Sequence, residues 1–246
     1  MRHHRIIMGM PASVELVGSD DIQPIEHIFD LWDEINARFS TYRDDSEVAH
    51  INRGNIAPSN HSREMQEVLS LAEKTMRETA GYFNVRRPDG TFDPSGIVKG
   101  WAIRKAADLA KASGFDSYYL EIGGDIQTNG HNAEGKEWTI GIRNPFNREQ
   151  IVKVLYPRGA GVATSGTAAR GNHIYNPHDP RVPITDIVSL TVVGPDVCEA
   201  DRFATAAFAM GRSGIDFIEK LEGFEGYSID SAGIATLTSG LGSHLA

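Results

Sequence analysis

Residues 118–125, Tyr118-Tyr119-Leu120-Glu121-Ile122-Gly123-Gly124-Asp125, decide the fold class. Tyr118 to Ile122 reads as a buried strand that runs straight into two glycines. A strand ending in Gly-Gly invites a dinucleotide-binding reading, but the run does not continue as G-x-G-x-x-G into a helix. More strand-like runs follow instead: Trp138 to Ile142 and Ile151 to Tyr156, joined by a polar loop around Pro145, then Gly161 to Thr164 and Ile187 to Val193. Helical patterns lie before and after them. Ile25, Ile28, Phe29, Trp32, Ile35 and Phe39 stripe the segment Pro24 to Phe39, and Met65, Val68, Leu69, Ala72 and Met76 stripe Ser62 to Glu78, which Ala80-Gly81 ends. A third helix is expected from about Gly100 to Ala112, and a fourth from Glu199 to Met210 with Gly211 past its end. Ser46 and Glu47 open a short helix within the polar Ser40 to Arg53. Ile6 to Val17 reads as one strand, edge or irregular because of Pro11, and Tyr82 to Val98 as irregular backbone. Helices and strands mix without βαβ alternation. The expected fold is α+β, a single domain over 1–246 with a largely antiparallel sheet flanked by helices.

Composition narrows the class of function. A chain of 246 residues, 40% of them hydrophobic, is long enough to bury a sizeable core without disulfides or a structural metal. Its single cysteine, Cys198, excludes an intrachain disulfide and a Cys-rich zinc module. With 24 basic against 33 acidic residues the net charge is −9, which argues against a binder of nucleic acid polymers or anionic membranes. No apolar run reaches the ~18–20 residues of a spanning helix, and the basic start, Met1 to Ile7, lacks the apolar core of a signal peptide. A soluble, cytoplasmic protein without membrane insertion is expected. His3 and His4 are too few for a metal tract and read as a frayed end.

Four clusters carry chemistry. Asp93-Pro94-Ser95-Gly96-Ile97-Val98-Lys99-Gly100 places small residues and a lysine at a helix start, where backbone N–H groups can face an anion; the same residues also read as an ordinary capping turn with a solvated lysine. Ala163-Thr164-Ser165-Gly166-Thr167-Ala168-Ala169-Arg170-Gly171 opens a strand end into small hydroxylated residues and glycines with one arginine nearby, suited to a phosphate cradle or to a plain surface loop. His173 in His173-Ile174-Tyr175-Asn176-Pro177 titrates near neutrality unless perturbed. Asp201 and Thr205, four apart on a helix, share one face and can offer a carboxylate and a hydroxyl to a hard cation such as Mg²⁺. Alternatively Asp201 caps the helix and Thr205 bonds back to a carbonyl.

Taken in order, these pieces resemble the ApbE-type FAD:protein FMN transferases. The resemblance rests on Met8-Gly9-Met10, STYRDDSEVAHIN (40–52), SGIVKG (95–100), EIGGDI (121–126), GVATSG (161–166), HIYNP (173–177) and ADRFATAAFAMG (200–211). It implies a single α+β domain related to the T-fold that binds FAD and Mg²⁺. Its expected activity is transfer of FMN from FAD to a Thr or Ser hydroxyl of a partner protein, with release of AMP. By motif position Asp201 and Thr205 correspond to side-chain ligands of Mg²⁺ and the Gly96 carbonyl to a backbone ligand. Met8, Tyr42, Asp93, Lys99, Ser165, Gly166 and His173 correspond to FAD contacts, and His173 and Asp201 to catalytic residues. Tyr42 is the candidate to stack on the flavin.

The chain also departs from that pattern. Met10 stands where the family usually has Thr, Cys198 where it usually has a carboxylate, and Asp179-Pro180 where Thr-Gly is usual. The stretch from Gly81 to Asp93 is short, with Asn84-Val85-Arg86 in place of an Asp-x-Thr. Two further readings therefore stand beside transfer: an Mg²⁺-dependent FAD pyrophosphatase giving FMN and AMP, and a non-catalytic FAD-binding protein. A homodimer is compatible with the sequence.

Overall fold

The computed structural model describes residues 1–18, 20–167 and 174–245. The single strand expected over Ile6 to Val17 is a hairpin, β1 (His3–Ile7) and β2 (Met10–Leu16). Met8 and Gly9 turn it with φ of 53° and 73°, the paired positive angles that match strand twist in a two-residue turn. Pro11 is not on an edge strand. It faces Ile6 just beyond the Ile7–Met10 pair that closes the turn, a position where the β1 ladder asks for no N–H. His3 and His4 belong to β1 rather than to a frayed end, and His4 Nδ1 lies 3.0 Å from Ser13 Oγ.

The helical half follows: α1 (Gln23–Phe39), α2 (Glu47–Asn52), α3 (Arg63–Glu78) and α4 (Ser95–Ala112). The α1 stripe is buried as expected, and the Trp32 indole donates to the Ala102 carbonyl of α4 at 3.0 Å. Ser46 and Ser62 cap α2 and α3 by accepting from Ala49 N–H and Met65 N–H. Helix α4 begins at Ser95, well before the expected Gly100, so Gly96 and Lys99 are helical rather than loop residues.

Strands β3 (Tyr118–Ile122) and β4 (Asp125–Asn129) form a second hairpin across Gly123-Gly124. A separate two-stranded sheet, β5 (Ile140–Arg143) and β6 (Ile151–Leu155), precedes β7 (Gly161–Gly166) and β8 (Ile187–Gly194). The chain closes with α5 (Val197–Ala209), α6 (Gly214–Glu219), β9 (Glu225–Asp230) and β10 (Ala235–Leu237). The main sheet has the order β1-β2-β3-β4-β7-β8-β9-β10, antiparallel at every pairing among the described residues. Helices α1, α3 and α4 build one apolar core against β2 and β3. Another core lies between β5–β6 and the main sheet, and a third between α5 and β7–β8. The fold is α+β with a mostly antiparallel sheet flanked by helices. Among the described residues no helix is long and apolar enough to cross a membrane.

Strand β4 escapes the sequence pattern because three of its four buried residues, Asp125, Gln127 and Thr128, are polar. Gln127 shows why they are tolerated: its Oε1 accepts the Val197 N–H at 2.8 Å, at the start of α5, and its Nε2 donates to the Gly159 carbonyl at 2.9 Å. One buried carboxamide thus satisfies a helix-start donor and a loop acceptor together. Replacing Gln127 by Leu keeps the volume and strands both groups. The expected loss is about 2–3 kcal/mol, read as a lower urea midpoint with unchanged slope. A midpoint equal to that of the parent would show that Gln127 does not carry this junction.

Candidate active site

The sheet topology brings three turns or strand ends to one end of the molecule. The Met8-Gly9 turn leads into β2, which pairs with β3 so that Ala12 faces Ile122, next to the Gly123-Gly124 turn. Gly123 N–H donates to the Pro11 carbonyl at 2.8 Å. Gly123 and Gly124 have φ of 61° and 95°, which only glycine adopts readily, and they deliver Asp125 as the first residue of β4. The end of β7, with Ser165 and Gly166, lies at the same sheet end because β4 and β7 run antiparallel.

Helices α4 and α5 meet there through two rungs one turn apart. Gly100 N–H donates to Asp201 Oδ2 at 2.8 Å, and Thr205 Oγ1 donates to the Gly96 carbonyl at 3.4 Å. The pairing 96–205 and 100–201 makes the two helices antiparallel at this crossing. Glycine is needed for the approach: a Cβ on Gly100 would lie 2.7 Å from Asp201 Cβ and 2.9 Å from the Val197 carbonyl oxygen. Asp201 does not cap α5. That role belongs to Asp196, which accepts from Glu199 N–H at 2.9 Å, while Asp201 sits in the helix body at 4% exposure. Thr205 bonds across to α4 rather than back along its own helix. The three residues expected at a metal, Gly96, Asp201 and Thr205, are thus neighbours.

Lys99 joins them from α4 and is buried, at 8% exposure, rather than solvated. Its ammonium is ion-paired with Asp125 Oδ2 and lies 3.8 Å from Asp201 Oδ1. Asp125, 1% exposed, also accepts the Thr164 N–H on Oδ1 at 3.1 Å. Its Oδ2 receives no well-aligned hydrogen bond from the described residues, despite the ion pair. Two buried carboxylates thus face one ammonium. Burial, the largest influence, pushes the Asp201 carboxyl well above the ordinary carboxylate range; the Lys99 ammonium pulls it back and the Asp125 carboxylate adds to the rise. With both carboxylates ionised such a site is short of one positive charge, and the carboxylate, hydroxyl and carbonyl oxygens around it suit a hard divalent cation.

The remaining expected residues divide. Asp93 precedes α4, accepting Ser95 N–H on Oδ1 at 2.9 Å and pairing through Oδ2 with Arg87. The α2 residue Asn52 holds the preceding Phe92 at both its backbone groups. Met8 is half-buried in its turn, and Ser165 is buried near the end of β7. Tyr42 is 98% exposed between α1 and α2, and the structure does not bring it against the others. His173 lies outside the described residues. Two residues were not singled out from sequence. Asp125 was visible only as the last letter of the Gly-Gly turn. Arg202, buried, pairs with Glu78 of α3 and Glu199 and lies 3.9 Å over the Phe203 ring, tying α5 to α3. Cys198 packs in the apolar core, where burial pushes its thiol far up.

Fold and site together define an antiparallel α+β protein with a buried lysine–dicarboxylate centre at a glycine-lined helix crossing. The chain belongs to the ApbE family, whose family model matches residues 8–87 and 85–228. A Vibrio cholerae protein named FAD:protein FMN transferase is 27% identical over 238 residues, covering 74% of this chain and 71% of that protein. The Salmonella typhimurium protein of the same name is 29% identical over 155 residues, covering 59% of this chain. That match spans only 44% of the Salmonella protein's length. Among solved structures, the flavin transferase ApbE of Vibrio cholerae superposes with a TM-score of 0.86 at 24% identity, over 100% of this chain and 99% of that one. The ApbE protein of Thermotoga maritima gives 0.86 at 19% identity, over 100% and 99%.

Two outcomes follow from the crossing. Gly100→Ala gains about 1 kcal/mol of helix propensity, but overpacking against Asp201 and Val197 costs about 1–3 kcal/mol. A net fall in thermal midpoint is expected, and a rise would show that the helices can separate at no cost. Cys198 should resist Ellman's reagent in the native protein and react only on unfolding. Fast native labelling would contradict its packing.

Proposed function

We propose that this chain transfers FMN from FAD to a Thr or Ser hydroxyl of a partner protein and releases AMP. The observation that carries the reading is the meeting of Gly96, Asp201 and Thr205 at the α4–α5 crossing beside Lys99, in a chain of the ApbE family. The residues suit Mg²⁺: the donors are a carboxylate, a hydroxyl and a carbonyl, and with both carboxylates ionised the buried charges leave one negative charge in excess. In this reading Asp201, Thr205 and the Gly96 carbonyl hold the ion. Mg²⁺ bound there would neutralise charge on the non-bridging oxygens of the FAD pyrophosphate.

The protein's own groups do the rest. Lys99 offers a fixed ammonium to a phosphate oxygen, at a site where burial strengthens the attraction. In this reading Met8, Asp93, Ser165 and Gly166 contact FAD, and Tyr42, exposed between α1 and α2, supplies an aromatic face for the flavin ring. His173 takes the proton from the acceptor hydroxyl as its oxygen attacks the FMN phosphorus; the bond to the AMP phosphate breaks and AMP leaves. Transfer requires the acceptor hydroxyl, rather than water, in line with that bond.

Incubation with FAD, Mg²⁺ and an acceptor protein bearing an exposed Thr tests this. Flavin fluorescence that stays on the acceptor through denaturing electrophoresis, with stoichiometric AMP, is the expected result. Free FMN and AMP would make the chain a pyrophosphatase, and intact FAD would leave it a binding protein. Asp201→Ala should lower turnover by about 100-fold or more, given the several kcal/mol such charge stabilisation supplies, while far-UV circular dichroism is retained.

A further inference from the structure

We propose that Asp125 is a positioning residue: it holds the Lys99 ammonium on its own carboxylate and thereby keeps Asp201 Oδ1 open to a divalent cation. The inference rests on the metal-dependent reading above and assigns a task to a residue outside the expected ligand set.

The geometry is asymmetric. Lys99 Nζ is in direct contact with Asp125 Oδ2 but stands 3.8 Å from Asp201 Oδ1. Asp201 Oδ2 is already engaged by the Gly100 N–H. The oxygen of Asp201 that remains for a cation is therefore the one that Lys99 approaches. An ammonium lying fully on that oxygen would compete with a metal for it and repel the metal from the same place. Asp125 prevents this by offering a second buried carboxylate in direct contact with Lys99.

Asp125 is itself held from two directions. The Gly123-Gly124 turn fixes its backbone at the start of β4, and the Thr164 N–H of β7 takes Oδ1, which leaves Oδ2 to face the lysine. The division of labour is between sheet and helix: the sheet carboxylate takes the lysine, and the α5 carboxylate is left to face the cation. Asparagine at 125 preserves the size and can still accept from Thr164, but it removes the charge that holds Lys99.

The test is Mg²⁺ binding by calorimetry, without FAD or acceptor, on the full chain and three variants: Asp125→Asn, Lys99→Met and both together. Asp125→Asn should weaken Mg²⁺ binding by at least about tenfold, a coupling within the range of close charge pairs. Lys99→Met should bind at least as tightly as the parent, and the double variant should return to within a few-fold of the parent because no ammonium remains to block Asp201. A double variant as weak as Asp125→Asn would make Asp125 a direct ligand and overturn the inference. Unchanged Mg²⁺ affinity in Asp125→Asn would make it purely structural and overturn it too. Asp125→Ser serves in its place if the Asn variant does not fold.

A metal-free readout separates this inference from the transfer reading. In EDTA, thermal unfolding of the same four proteins should be strongly non-additive, since both single variants break one ion pair. The corresponding cycle of Asp201→Asn with Lys99→Met should be nearer additive. Failure of the parent to take up any divalent cation would sink the transfer reading and the cation half of this one, whereas additivity between positions 99 and 125 would sink the ion-pair half whatever the metal does.

Discussion

The close approach of α4 to α5 is the constraint on which the rest of the site depends. A helix backbone N–H normally serves its own helix, yet Gly100 donates to a carboxylate on another helix at 2.8 Å. That distance is open only because position 100 carries no side chain, and the rung at Gly96 and Thr205 repeats the arrangement one turn away. Gly96 and Gly100 cost α4 roughly 1 kcal/mol each in helix propensity. Burial of Ile97, Val98, Trp101 and Ile103 on the same helix offsets that cost. The crossing thus brings a lysine, an aspartate, a threonine and a backbone carbonyl into one buried place, using local sequence that taken alone is poorly helical.

This is also why part of the structure was legible in the sequence and part was not. The stripes of α1 and α3 face one apolar core, so their periodicity survives into the fold with Ser46 and Ser62 as readable caps. Local rules put the start of α4 too late because Pro94, Gly96 and Gly100 are breakers, and their tolerance comes from a partner about a hundred residues away in sequence. Strand β4 was hidden by Gln127 and Thr128, polar side chains buried among tertiary partners. The β1–β2 hairpin reads as one strand in the sequence because Met8 is an unexpected residue at positive φ. At the site, the pairing of Asp201 with Thr205 was visible as an i, i+4 face. Asp125 was not, since its importance comes from the strand order that sets β4 beside β7 and under Lys99. Strand order is not written in local periodicity.

Charge also accounts for a neutral residue at position 198. Around Lys99 there are two carboxylates to one ammonium, and the excess of one negative charge is what a divalent cation would meet. Cys198 sits on α5 three residues before Asp201, in the apolar core that α4 shares. A carboxylate at that place would add a third buried negative charge with no second ammonium from α4 to face it, and a buried unpaired charge costs several kcal/mol. The nearest basic residue on that side, Arg104, is already drawn to Asp196 at 3.9 Å. The thiol, by contrast, is neutral under burial and leaves the excess charge confined to the Asp125–Asp201 pair. Met10 and the Asp179-Pro180 turn lie outside that contact set: Met10 packs over Gly123, and the His178 ring lies 3.0 Å from the Ala80 carbonyl and edge-on to Tyr82. These residues pack against partners other than the lysine and its two carboxylates. The two rungs and the lysine between two carboxylates, which set its charge, are untouched by them.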